Sequence, residues 1–108
     1  MATGGVHHIL PTAVPSAVVG QANAYLETGF KETGQVYAFQ DITEASEQVV
    51  RGVMYSLELR GTLDGEGVDF TLRLWHDIDD SIKCLDCHMR KDGESDVPCF
   101  PEEADVDV

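Results

Sequence analysis

At 108 residues, with 43% apolar and 25% charged side chains, the chain is long enough for one packed domain and too short for two; its 4 Pro and 10 Gly exclude a collagen-like or wholly disordered composition. Lys and Arg number 7 against 20 Asp and Glu, and the resulting net charge of −13 repels nucleic-acid backbones and anionic membrane surfaces, so neither partner is expected. No apolar run is long enough to span a bilayer, and the N-terminal stretch lacks a basic start followed by a long apolar block, so a soluble chain without an export signal is expected.

The first periodic stretch lies between Pro11 and Gly29. Val14, Val18, Ala22, Tyr25 and Leu26 recur at helical spacing, with Thr12 or Ser16 as N-cap, Pro15 confined to the first turn and Gly29 placed to end the helix. After Gly34 the period becomes two. A strand is predicted over residues 36–43, and a second over 53–59, where Val53, Tyr55, Leu57 and Leu59 alternate with Met54, Ser56 and Glu58. Val68, Phe70, Leu72 and Leu74 repeat the pattern, with a glycine-rich turn over 61–67 between the two, and a weaker final strand covers 82–89. One helix laid across the apolar face of such a sheet buries both stripes, which predicts an α+β fold with an antiparallel sheet of four to five strands around a single helix.

Beyond Lys91 the charge changes. Asp92, Glu94, Asp96, Glu102, Glu103, Asp105 and Asp107 follow with no basic residue, and Pro98 and Pro101 interrupt them. The expected organisation is therefore a domain over residues 1–91 and an acidic tail over 92–108.

Cys84, Cys87 and Cys99 allow one intramolecular disulfide and one leftover thiol. The turn at Lys91-Asp92-Gly93-Glu94 can bring Cys99 back to Cys87, while Cys84 faces the core beside Ile82, so a Cys87–Cys99 bridge with free Cys84 is expected. A disulfide suits an oxidising, secreted location and reduced thiols the cytoplasm; the sequence leaves both open.

Catalysis finds little support: the chain has no nucleophile elbow, no phosphate-binding glycine loop and no zincin-like histidine pair. His7 and His8 are adjacent near the N-terminus, His76 and His88 are scattered, and all four read as solvated structural residues. Asp77, Asp79 and Asp80 match no calcium loop and read as a solvated hairpin loop. Cys84-Leu85-Asp86-Cys87-His88 matches the C-x-x-C-H attachment pattern of c-type haem, and a small haem electron carrier is the alternative reading. On a continuous strand, however, a separation of three sends Cys84 and Cys87 to opposite faces, so no cofactor is expected. A zinc site on Cys84, Cys87, His88 and Cys99 has a suitable ligand set but only one C-x-x-C pair.

The strongest constellation is Gln48-Val49-Val50-Arg51-Gly52, at a hairpin tip between one strand and the next. Branched apolar residues at a tip make a small sticky surface, glycine permits close backbone approach, and the Gln48 amide can hydrogen-bond at the rim. Here the chain resembles the cystatins, inhibitors of papain-like cysteine peptidases, whose first hairpin carries Q-x-V-x-G; Gln48, Val50 and Gly52 match in order, after a helix and a strand. The resemblance covers about residues 4–90. It implies a trunk glycine ahead of the helix, where Gly4 and Gly5 stand, and a second binding hairpin with Pro-Trp. In this chain Trp75, followed by His76, is present without the proline, and a sheet-edge aromatic is the other reading of Trp75. The cysteine count fits neither the two-disulfide secreted type nor the disulfide-free intracellular type. What the resemblance implies is a tight, reversible inhibitor, not an enzyme, whose wedge of Gly4, Gly5, Gln48, Val49, Val50, Arg51, Gly52, Trp75 and His76 fills the cleft of a cathepsin-class peptidase.

Overall fold

In a computed structural model, which describes residues 5–100, a four-residue repeat sets the helix. Val18, Ala22, Leu26 and Phe30 are buried along one stripe of α1 (Ser16–Glu32), and Val14 extends that stripe into the preceding turn. The helix ends differ from expectation. Pro15 is the N-cap, its carbonyl accepting from the amides of Val18 and Val19 at 2.9 and 3.1 Å. Ser16 is already helical, and Thr12 lies in a 3-10 turn (Pro11–Ala13).

Gly29 does not end the helix either. The chain stays helical to Glu32 and stops where Gly34 N–H donates to Lys31 O and Gln35 N–H to Phe30 O, at 3.0 and 2.9 Å. Gly29 is bare for another reason: a Cβ there would fall inside the ring of Phe100, which packs on the helix.

The sheet is a meander of β1 (His7–Ile9), β2 (Tyr37–Val50), β3 (Gly52–Leu63), β4 (Glu66–His76), β5 (Ile82–Lys91) and β6 (Val97–Pro98), every neighbour antiparallel and the spatial order that of the chain. The fold is thus α+β, with six strands among the described residues rather than four or five. The added pair, β1 and β6, are 3 and 2 residues long, too short for a period to show.

The alternation in β3 and β4 has the expected cause. Leu57, Leu59, Val68, Phe70, Leu72 and Leu74 are almost wholly buried on the face that meets α1, and Phe30 packs on Phe70 with ring centroids 5.9 Å apart. The opposite face carries ion pairs, Arg60–Asp69 and Arg73–Asp86, each at 2.9 Å. The turn between β3 and β4 is only Asp64-Gly65, both with positive φ, so these strands are longer than alternation suggested.

β2 runs well past residue 43. Pairing with β3 holds the polar stretch Glu44, Ala45, Ser46 and Glu47 in the sheet, β1 flanks Ala45, Ser46 and Glu47 on the other side, and only Ala45 of the four is buried. Gln40 and Thr43 are extra residues in its ladder, bulges that bend the strand.

A further bulge lies in β5. Leu74 pairs with Cys84 but Arg73 with Asp86, which leaves Leu85 as the extra residue. Cys84 and Cys87 therefore both face the core, opposite Leu74 and Leu72; the opposite-face expectation fails because the strand is not continuous there.

Packing continues beyond Lys91. Cys87 and Cys99 form a disulfide, with Cα atoms 5.5 Å apart, and Cys84 is the free cysteine. Cys99 is buried, and Phe100 packs against Tyr25 and Phe30 with centroids 5.4 and 4.7 Å away. Of the acidic stretch expected as a tail, residues 97–100 are thus tied to β5 and α1, and residues 101–108 lie outside the described part. No helix is long and apolar enough to cross a membrane among the described residues.

Candidate functional site

Antiparallel pairing decides which segments share an end of the sheet. His7 pairs with Glu47, Val50 with Gly52, Val53 with His76, and His76 with Ile82. The start of β1, the β2–β3 turn and the β4–β5 loop over residues 77–81 therefore emerge together. Of the sequence-predicted residues, Gln48, Val49, Val50, Arg51, Gly52, Trp75 and His76 are all at this end, and Gly5 leads into it ahead of β1. Gly4 lies outside the described residues.

Two cross-strand rows carry these side chains. Gln48, Met54, Trp75 and Lys83 are successive partners on the face away from α1, and Val49, Val53, His76 and Ile82 are successive partners on the other. Of the two valines at the tip, expected to form a sticky surface, only Val49 is exposed, at 49%, whereas Val50 is half-buried beside the turn. Trp75 stands at the strand end, next to the loop rather than inside it.

The first turn is held against β4 by two contacts. The Trp75 indole N–H donates to the Arg51 carbonyl at 2.7 Å. Gly52, at φ +88°, lies against the exit of β4: a Cβ there would run into the His76 carbonyl oxygen and reach within 3.0 Å of Asp77 Cα. Glycine is required at this position both by φ and by space.

The 77–81 loop is shaped by its own acids. Backbone bonds run from Asp77 N–H to Ser81 O and from Asp80 N–H to Asp77 O, at 2.8 and 2.9 Å. Asp77 Oδ1 accepts from the Ile78 amide at 2.6 Å, and Asp80 Oδ1 lies 2.7 Å from His76 Nε2. Asp79 Oδ1 accepts from both the Ser81 hydroxyl and its amide, which hold the Asp79 carboxyl below its ordinary value. These carboxylates are loop-formers, and among the described residues no group of three or more His, Cys, Asp and Glu is arranged to hold a metal.

Elsewhere, the disulfide engages Cys87 and Cys99, two of the four residues weighed as zinc ligands and one of the haem-attachment pair, and His88 lies exposed on the face away from Cys84 and Cys87. Burial, with Asp86 nearby, pushes the Cys84 thiol up to about 12.

Two residues at the candidate site were missed from sequence. Val6 and Ile78 are 60% and 67% exposed, one just ahead of β1 and the other in the 77–81 loop. A lone isoleucine among three aspartates was the available signal for the second, since a solvated acidic turn has no use for one. Compared with known protein families the chain matches none, and no curated protein matches it.

Proposed function

We propose that the protein is a reversible, tight-binding inhibitor of papain-like cysteine peptidases. The observation that carries the reading is the convergence of the trunk at Gly5, the turn at residues 48–52 and the β4 end at Trp75-His76 on one end of the sheet, with Gly52 seated against the His76 carbonyl. The cystatin resemblance of Gln48, Val50 and Gly52 requires that arrangement, and a single helix packed across an antiparallel sheet is the scaffold it implies.

The mechanism is occupation. Three segments form an edge that enters the substrate cleft on either side of the catalytic cysteine, and the inhibitor contributes no catalytic group of its own. Because the Trp75–Arg51 bond and the loop hydrogen bonds order both hairpins before encounter, little conformational entropy is lost on docking. Exposed Val49 supplies apolar surface to bury in the cleft. The net charge of −13 acts on encounter rate more than on affinity.

Titration of active papain with the purified protein tests this. Competitive, reversible loss of peptidase activity is expected, and full papain activity in a large excess of folded protein overturns the reading.

A further inference from the structure

Each of the segments at this end sends one large apolar side chain into solvent: Val6 at 60%, Val49 at 49% and Ile78 at 67%. Ile78 lies in a loop whose shape is set from within. Its amide is bound to Asp77 Oδ1, the loop closes from Asp77 to Ser81, and Asp79 and Asp80 engage Ser81 and His76. All three aspartates are therefore used by the loop, and the isoleucine has no intramolecular task at that exposure. Trp75 is the reverse case. It is half-buried between Met54 and Lys83, and its only donor is committed to the carbonyl of Arg51.

We infer that Ile78 is the second hairpin's contact with the peptidase, seated on an apolar wall of the cleft, and that Trp75 is a positioning residue that locks the first hairpin's turn to the end of β4. This rests on the inhibitory reading above and divides labour within it. The first hairpin meets the enzyme through Val49 and Val50, the second through Ile78, and Trp75 sets the angle between them. A wall that accepts a branched aliphatic side chain is what this loop selects for.

The test is inhibition of papain by the parent, Ile78→Ser, Trp75→Phe, Val49→Ser and the paired variants, each with its melting temperature. Ile78→Ser leaves the melting temperature unchanged, since the side chain is in solvent, and raises the inhibition constant roughly ten- to a hundredfold, mainly through faster dissociation. Trp75→Phe keeps an aromatic ring but loses the donor to Arg51. It weakens inhibition by the parent and by Ile78→Ser alike, and its further effect is smaller in Val49→Ser, where one of the first hairpin's two contacts is already gone, because it acts through that hairpin. Ile78→Ser inhibiting as well as the parent, or Trp75→Phe acting equally in every background, overturns the assignment while leaving the inhibitory reading standing. A parent that leaves papain fully active overturns that reading, and the inference falls with it.

Discussion

Gly52 and the carbonyl oxygen of His76 share a space that admits no Cβ, and Gly52 also holds φ at +88°. At Gly65, with φ +85°, a Cβ would meet no atom within 4 Å. The pair separates conformational strain from collision. Gly65→Ala is expected to cost about 1 kcal/mol, the strain alone, whereas Gly52→Ala adds a backbone displacement and costs about 2–4 kcal/mol along with a loss of papain inhibition. Urea denaturation of both variants checks this; equal costs would show that the first turn is not braced by β4.

Val50 is half-buried beside the turn and belongs to the motif. Val50→Asp is expected to weaken papain inhibition by more than the roughly ten- to hundredfold attached to one valine's burial, because it also carries a charge into the cleft. The protein should remain folded by circular dichroism. Undiminished inhibition by the folded variant would remove the first hairpin from the contact surface.

The bare Gly29 surface and the Phe100 ring are coupled. In the parent, Gly29→Ala pushes the ring off α1 and is expected to destabilise by about 1–3 kcal/mol. In a Phe100→Ala background the clash is gone, and the same substitution stabilises by about 0.5–1 kcal/mol through helix propensity. Thermal unfolding of the four proteins tests for that change of sign, and a Gly29→Ala effect of the same sign in both backgrounds would mean the ring is not seated there.

Burial holds the Cys84 proton up to about 12, against an ordinary thiol value of 9.0. The unfolded chain releases that proton first as pH rises, so the stabilisation is fully present below the unfolded value and declines from about pH 9 towards 12. Comparing urea midpoints of the parent and Cys84→Ala at pH 8 and pH 10.5 is expected to show the larger alkaline loss in the parent. Iodoacetamide at pH 8 should label Cys84 slowly in the folded protein and rapidly in denaturant.

The parts legible in the sequence are those with one face on α1 and the other in water. Val53 to Leu59 and Val68 to Leu74 read as strands because every second residue meets the helix. The hairpin tip at Gly52 was legible because turn chemistry is local. What escaped has a nonlocal cause. Ala45 to Glu47 are held in strand as β1 arrives beside them, and Gly29 is glycine because of a residue far along the chain. Leu85 turns the cysteine arithmetic over, since one inserted residue moves Cys84 to the same face as Cys87, and no periodicity announces a bulge. Ile78 was visible but was read with its acidic neighbours rather than against them.

The bulges at Gln40 and Thr43 bear on what happens between molecules. β1 covers only Ala45, Ser46 and Glu47, so among the described residues the flank of β2 over 37–44 has no strand beside it. A flat run of that length, with Tyr37, Phe39 and Ile42 in it, would offer a ladder of unpaired amides and carbonyls to a second chain. Each inserted residue breaks the hydrogen-bonding register and twists the strand, and Asp41 and Glu44 place negative charge along the same stretch. Deleting Gln40 and Thr43 would straighten this border into a template for edge-to-edge association, and concentrated solutions of such a variant should form β-rich aggregates where the parent stays clear.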